Sequence, residues 1–113
     1  MSYPIEVEDK IEHDVPELKF SYGQGMEIAD KVRDYLRLSE AILVTGPGEL
    51  SRKCIETWNN AGDWIYHLND TTLFAEIRCA GLKNEGAIVK FATAGKNAKT
   101  ILKDLQTILD EYQ

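Results

Sequence analysis

The chain has 113 residues, of which 43% are hydrophobic and 28% charged, and its formal net charge at pH 7 is -6. These proportions are ordinary for one globular domain and exclude a chain that is disordered throughout. Apolar runs of the roughly 20 residues that a membrane helix needs are missing, and the first residues lack the features of a secretory signal. We therefore expect an intracellular, cytoplasmic protein without a membrane span.

The first 17 residues form an acidic arm that carries most of the net charge. Lys10 is its only basic residue, and Pro4 and Pro16 interrupt any regular pattern. Its acidic residues are Glu6, Glu8, Asp9, Glu12, Asp14 and Glu17. This composition predicts a solvated, partly disordered segment. The alternative is an intramolecular shield over a basic surface of the same chain.

Residues 18–45 predict a strand, a helix and a second strand. The stretch "LKFSY" at 18–22 alternates apolar and polar residues, and Gly23 and Gly25 then break that pattern. From Met26 to Leu38 the apolar residues recur at helical spacing, which predicts an amphipathic helix. The stretch "AILVT" at 41–45 predicts the second strand.

The rest of the domain begins with a glycine turn at residues 46–48 and a second helix over about 49–60. The stretches "WIYHL", "TLFAEIRC" and "AIVKFAT" predict further strands, with "AGLKNEG" as a loop between the last two. Residues 97–112 have the i, i+3, i+4 spacing of a last helix, with Asn97 or Thr93 as its cap.

The order of these elements predicts an α/β fold of the α+β two-layer sandwich type. It reads strand, helix, strand, helix, two or three strands, and helix. The helices are expected to pack on a mixed sheet of four to five strands, and residues 18–113 to form a single domain.

Three stretches of the chain resemble the Alba superfamily, whose small members bind DNA or RNA and usually dimerise. "YGQGMEIADKV" is similar to the glycine turn after the first strand of that family. "ILVTGPGELSRKCIE" is similar to its second strand and G-x-G turn, and closer still to an Alba-like member, stage V sporulation protein S. "FAEIRCAGLKNEGAIVKFA" matches its closing hairpin. The resemblance spans about residues 18–92 and leaves the acidic arm and the last helix outside.

The resemblance implies a non-catalytic homodimer that binds nucleic acid, with RNA or single strands favoured. Two Trp and five Tyr also offer more apolar surface than a small core needs. Gln24 and Gly25 stand where the family has its principal DNA-contacting lysines, so the expected affinity is weak. The candidate contacts are Gln24, Arg52, Lys53, Arg78, Lys83 and Lys90.

Two glycine turns are candidate anion sites. In "VTGPGELSRK" and "ATAGKNAKT" a strand leads through glycine into a helix, whose free N–H groups favour a phosphate. The residues concerned are Gly46, Gly48, Gly95 and Lys96. Neither turn matches a nucleotide-binding motif. The alternative is that these glycines only give the backbone the freedom to turn.

Residues suited to catalysis or metal binding are few. Cys54 and Cys79 lack C-x-x-C spacing, and no H-E-x-x-H motif or carboxylate cluster with ligand spacing occurs in the sequence. We expect buried free thiols, no metal, no cofactor and no enzymatic activity. Trp58 and Trp64 have two possible roles, stacking on bases or filling a core or dimer interface.

Two other functions stay open. One is an acidic protein-interaction module that kept the fold without binding nucleic acid. The other is a phosphometabolite-binding protein or enzyme that uses the glycine-rich turns.

Overall fold

The computed structural model of the chain describes residues 13–57, 62–79 and 86–113, which form five strands and three helices. In chain order these are β1 His13–Phe20, α1 Tyr22–Leu38, β2 Ile42–Thr45, α2 Arg52–Thr57, β3 Gly62–Leu68, β4 Thr71–Cys79, β5 Ala87–Gly95 and α3 Ala98–Asp110. None of the helices in these ranges is long and apolar enough to cross a membrane.

The five strands form one sheet in the order β1-β5-β4-β3-β2, and each neighbouring pair is antiparallel. The predicted α+β class is confirmed, but the predicted mixed sheet is wrong. β1 and β2 run in the same direction, as strands joined by a helix often do. They lie at opposite edges with three antiparallel strands between them, so the helical crossover produces no parallel pair.

One face of the sheet and the helices enclose the core. The strands contribute fully buried side chains such as Trp64, Leu73 and Phe91, which alternate with more exposed residues as the pleat requires. α1 and α3 contribute apolar residues at helical spacing to the same cluster. These are Ile28, Val32 and Leu36 from α1, and Ile101, Leu105 and Leu109 from α3. The chain is therefore a helical layer packed on one face of a sheet.

Polar contacts connect α1 to the end of the chain. The Tyr35 hydroxyl donates a hydrogen bond to Asp104 Oδ2 at 2.8 Å. Burial, followed by that hydrogen bond, raises the pKa of Tyr35 to about 12. Lys31 Nζ lies 2.6 Å from Glu111 Oε1, and its ammonium group also lies 5.2 Å from the centre of the Tyr112 ring. These polar contacts therefore connect α1 to α3 and to the residues that follow α3.

β1 begins earlier than the sequence pattern predicts. It runs from His13, so residues 13–17 belong to the sheet and not to the acidic arm, and Tyr22 belongs to α1. The register with β5 shifts between Val15 and Leu18, where Pro16 interrupts the alternation. Proline is tolerated at such a bulge on an edge strand, because its missing N–H is not needed by a neighbour. Residues 1–12 of the predicted arm lie outside the described residues.

α1 also begins earlier than predicted, and both glycines lie inside it. Ser21 is the N-cap: its hydroxyl accepts from Gln24 N and its own N–H donates to Gln24 Oε1, both at 3.1 Å. This reciprocal pair fixes the helix start despite the low helix propensity of glycine. Gly25 is buried, and a Cβ there would overlap the Ala87 methyl group. Glycine at this position lets α1 approach β5 closely.

The remaining elements agree with the sequence to within a few residues. The predicted strands at 41–45, 64–68, 72–79 and 87–93 correspond to β2, β3, β4 and β5, and the helix at 97–112 corresponds to α3. Asn97 is its N-cap without a side-chain capping bond, and Thr93 Oγ1 donates to the Ala98 carbonyl at 2.8 Å. α2 is shorter than predicted and begins at Arg52, while residues 58–60 of the prediction lie outside the described ranges.

Candidate nucleic-acid interface on the uncovered sheet face

The sheet has a second face, turned away from the helices, which we call the uncovered face. On β3 it carries Asp63, Ile65 and His67, which alternate with the buried Trp64 and Tyr66. The register extends this face across β4 and β5 and to the end of β1. Its members there are Thr72, Phe74, Glu76 and Arg78 on β4, Ile88, Lys90, Ala92 and Ala94 on β5, and Lys19 on β1.

An apolar row crosses the middle of the uncovered face. Ile65 is paired with Phe74, and Phe74 with Ala92, so the three lie side by side on neighbouring strands. Ile65 and Phe74 are half-buried, and Ala92 is buried. They lie in a shallow depression of about 340 Å³ that is open to solvent on one side. Its floor is therefore an aromatic ring with an aliphatic side chain on either side.

Charged side chains form the next row. Asp63 is paired with Glu76, and Glu76 with Lys90, and all three line the depression. Arg78 Nε lies 2.6 Å from Glu76 Oε2, so this carboxylate is already engaged. Lys90 and Lys19 are exposed, and neither pairs with a carboxylate within the described residues. The uncovered face therefore combines two ammonium groups with an apolar floor, in a chain whose net charge is -6.

The predicted nucleic-acid contacts do not form one surface. Arg78 and Lys90 lie on the uncovered face, whereas Arg52 and Lys53 begin α2, which packs against α1 in the helical layer. An Arg52 Nη atom lies 3.0 Å from Asp30 Oδ2, so its charge is partly neutralised.

Of the other two predicted contacts, Gln24 is also separate from the uncovered face. Gln24 completes the N-terminal cap of α1, and its Nε2 donates to the Tyr112 carbonyl at 3.5 Å. Lys83 lies outside the described residues. The basic residues that the sequence groups together are thus divided between two layers.

The first glycine turn is built around Trp64. A Cβ at Gly46 would lie 2.6 Å from Trp64 Cδ1, so only glycine fits against the indole ring. Trp64 Nε1 donates to the Gly48 carbonyl at 2.6 Å, and Leu50 N donates to the Tyr66 hydroxyl at 3.0 Å. These contacts support the interpretation of the turn as structural. Trp64 itself is fully buried and fills the core instead of stacking on a base.

The start of α2 uses protein groups to satisfy its backbone. Arg52 N donates to Asp30 Oδ1 at 3.4 Å, and Cys54 N donates to Ser51 Oγ at 3.1 Å. A carboxylate of the protein therefore occupies the place where a phosphate was predicted. The anion site at this turn stays a prediction without a contact that supports it.

The second glycine turn joins β5 to α3. Gly95 has φ +118, and a Cβ there would lie 2.5 Å from the Asp70 carbonyl, so the backbone requires glycine. Asn97 N donates to Thr71 Oγ1 at 2.9 Å, which ties this turn to the start of β4. Lys96 is exposed at its tip. This geometry also supports a structural role for the glycine.

Groups for covalent or metal chemistry are sparse where the structure describes the chain. Cys54 is half-buried, and burial raises the pKa of its thiol, which disfavours the reactive thiolate. No three His, Cys, Asp or Glu side chains of the described residues are grouped so that they could hold a metal ion. The Cys79 side chain lies outside those that the structure describes.

Phe74 is absent from the contacts that were predicted from the sequence. In "TLFAEIRC" the residues Leu73, Ala75 and Ile77 define the core face, so Phe74 falls on the opposite, solvent side of the strand. An aromatic ring among polar residues on that side is the signal that could have identified it.

Comparison of this chain with protein-family models, curated proteins and solved structures gives no match. The resemblance to the Alba superfamily therefore stays a prediction.

Proposed function

We propose that this protein binds single-stranded nucleic acid, with RNA favoured, on the uncovered face of its sheet. The observation that supports this proposal is the half-buried Phe74 ring, flanked by Ile65 and Ala92 and bordered by Lys90. Sheets that bind single strands commonly present aromatic rings on an uncovered face, because each base offers a flat surface for stacking. A cytoplasmic location, as expected from the sequence, belongs to the same proposal.

The charges on this face divide into two roles. Lys90 and Lys19 provide positive charge for phosphate groups, and both lie on the same side of the apolar row. Arg78 lies on that side as well, where it is paired with Glu76. Asp63, which has no ion-pair partner among the described residues, can accept a hydrogen bond from a base amino group. The carboxylates also repel phosphates, so binding is expected to depend more on stacking than on charge.

The acidic chain sets the expected strength of binding. A single strand releases about 0.7 counterions per phosphate contact, so the two unpaired ammonium groups predict a log-log salt slope of only about -1.4. Stacking of one base on an aromatic ring contributes about 1–3 kcal/mol. Weak binding with shallow salt dependence is therefore the expected signature.

Fluorescence anisotropy with labelled single-stranded RNA and DNA at low salt tests the proposal. Phe74→Ala should weaken binding about 5- to 100-fold through the lost stacking, and Lys90→Ala should weaken it less and reduce the salt slope by about 0.7. Lys53→Ala is the matched control, because this exposed lysine lies in the helical layer. Absence of binding by the wild type, or equal losses for Lys53→Ala and Lys90→Ala, would contradict the proposed interface.

An acidic protein-interaction module is the second candidate function. The observation that favours it is the exposure of large apolar side chains in one stretch of the chain: Leu38 at the end of α1, and Ile42 and Val44 on β2. Isolated apolar residues on a surface are ordinary, whereas a cluster often marks a contact with another protein. If the wild type binds no polynucleotide at low salt, this function becomes the better supported one.

A further inference from the structure

We propose that a depression between the C-terminal half of α1 and β2 binds a small zwitterion, an α-amino acid with an apolar side chain. The proposal concerns the helical side of the sheet and does not depend on nucleic-acid binding. It rests on a buried arginine N–H without an acceptor, on charges of both signs that line one depression, and on a strained glutamate among them.

This α1–β2 depression has a volume of about 460 Å³ and is open to solvent on one side. Sites for small molecules commonly have about 300–1,000 Å³. Its apolar floor contains Leu36 and Tyr66, which are buried, and Ala41 and Leu43, which are half-buried. Because Tyr66 follows Ile65 of the uncovered face along β3, the depression lies on the opposite, helical side of the sheet.

Arg33 on α1 lines the depression and has an unsatisfied donor. Its Nε is buried and has no hydrogen-bond partner among the described residues. The same guanidinium group donates from Nη2 to Asp34 Oδ1 at 3.0 Å, so only part of its hydrogen-bonding capacity is used. Nearly all buried polar groups of native proteins are hydrogen-bonded, because an unpaired one is destabilising. A ligand oxygen that accepts from this N–H removes that destabilisation.

Charges of both signs line the depression without pairing across it. Arg37 lies one helical turn after Arg33, and its Nη2 is 3.8 Å from the same Asp34 oxygen, so two guanidinium groups share one carboxylate. Glu40 and Glu49 are exposed, and neither has an ion-pair partner within the described residues. A simple anion is repelled by the glutamates, and a simple cation by the arginines. A zwitterion satisfies both, with its carboxylate on the guanidinium groups and its ammonium group on the glutamates.

The Tyr66 hydroxyl provides a further donor in the same depression. It accepts from Leu50 N at 3.0 Å, and its own proton has no acceptor among the described residues. Burial raises the pKa of Tyr66, so the phenol keeps this proton at neutral pH. The hydroxyl can therefore donate to a carboxylate that Arg33 also holds.

The backbone of Glu40 is strained. Its φ is 55, and it lies at the end of α1 where Ala41 N donates to the Leu36 carbonyl at 2.9 Å and Glu40 N to the Arg37 carbonyl at 3.1 Å. This is the Schellman motif, in which the residue at this position is usually glycine. The Glu40 side chain forms no ion pair with the rest of the described chain, so the fold does not account for its carboxylate. Strained residues of this kind occur preferentially at ligand sites.

The exposure of the charged groups predicts weak binding. Ion pairs in contact with solvent contribute little, and a bound molecule loses its translational freedom, so we expect a dissociation constant of about 1 mM. The apolar floor favours an apolar side chain, which makes leucine a suitable probe.

NMR spectra of the backbone amides and of the arginine Nε–H groups of the full chain, recorded with leucine up to about 20 mM, test the proposal. The Arg33 Nε–H signal and the amides of Glu40 and Glu49 should shift with one dissociation constant, whereas the amides of β1 should not shift. Isocaproate is leucine without its ammonium group, and isoamylamine is leucine without its carboxylate. Each should bind at least about tenfold more weakly than leucine, because each leaves one set of charges unpaired.

Substitutions test the residues themselves. Arg37→Gln and Glu40→Gln should each weaken leucine binding at least about fivefold. Glu27→Gln is the matched control, because it removes the same charge from an exposed position of α1 outside the depression and should leave the affinity unchanged. Glu40→Gly should weaken binding as much as Glu40→Gln does while it raises the urea midpoint, because glycine adopts this backbone conformation without strain. Loss of binding in this variant therefore cannot result from unfolding.

Three outcomes overturn the proposal. The first is the absence of any shift of the Arg33 Nε–H signal with leucine. The second is binding of isocaproate or isoamylamine as tight as that of leucine, because one charge then suffices. The third is an equal loss of affinity in Glu27→Gln and Glu40→Gln, which would place the bound amino acid elsewhere on the chain.

Discussion

Two glycines in the first turns of α1 predict opposite results for the same substitution. Gly23 is exposed, and a Cβ built there has no heavy atom within 4 Å, whereas a Cβ at Gly25 overlaps the Ala87 methyl on β5. Gly23→Ala should raise the free energy of unfolding by about 0.5 kcal/mol, because alanine restricts the unfolded chain and favours the helix. The new methyl group at position 23 meets no neighbour, so no packing cost offsets this gain.

Gly25→Ala gains the same backbone term but must displace α1 from β5. Overpacking of a core typically costs about 1–3 kcal/mol, so the net result should be a loss of about 0.5–2.5 kcal/mol. A small domain has about 5–15 kcal/mol in total, so both changes are measurable by urea unfolding followed by circular dichroism.

A double-mutant cycle with Ala87→Gly identifies the contact that causes this loss. Removing the Ala87 methyl vacates the space that the new Cβ needs, so Gly25→Ala should cost at least about 0.5 kcal/mol less in the Ala87→Gly background. If the two changes are additive, or if Gly23→Ala and Gly25→Ala have the same sign, the close approach of α1 to β5 is not the reason for glycine at this position.

Three further predictions concern the first glycine turn, pH and base preference. Trp64→Phe should lower the free energy of unfolding by about 2–4 kcal/mol, because it removes the hydrogen bond to the Gly48 carbonyl and part of a buried ring. If added phosphate instead raises the stability of the wild type, the first glycine turn is an anion site and its structural interpretation is wrong. Because the pKa of Tyr35 is raised to about 12, its stabilising effect is fully present below about pH 10 and is lost as the pH rises towards 12. Urea midpoints should therefore fall over that range more in the wild type than in Tyr35→Phe, and equal slopes would contradict the raised pKa that burial and the bond to Asp104 give Tyr35. Cytosine-rich single strands should bind more tightly than uracil-rich ones, and anisotropy should show this preference reduced in Asp63→Ala; an unchanged ratio would remove Asp63 from the site.

The sequence predicts most of the secondary structure of this protein because its apolar spacing is regular. The alternation in β4 and the helical stripe of α3 both appear in the structure close to their predicted limits. The apolar pattern predicts the limits of β1 and α1 wrongly, because packing between distant parts of the chain decides the structure there. Pro16 sits in a bulge that disrupts the alternation of β1, and Gly25 lies inside a helix because of Ala87.

The candidate site was less predictable, because the position of a basic residue in the sequence does not show whether it lies in the helical layer or on the uncovered face of the sheet. Arg52 and Lys53 lie in the helical layer, and Arg78 and Lys90 lie on the far side of the sheet. Pairing across strands brings Phe74 next to Ile65, although nine positions separate them in the chain. The same limit applies to sheet order, because the positions of β1 and β2 at opposite edges depend on long-range pairing.

The pairing of β1 with β5 has a consequence for how the chain folds. β3 and β4 are joined by Asn69 and Asp70, whose positive φ angles of 42 and 63 suit a tight hairpin turn. His13, by contrast, pairs with Thr93, so the ends of that contact are far apart in the chain. Closing such a long loop loses more entropy than closing a hairpin. The favourable free energy of strand pairing offsets this loss only when the partner strand is already in place. We therefore expect the β3–β4 hairpin to form early in the folding reaction and β1 to join late, which makes the β1 edge of β5 the last part of the sheet to be covered.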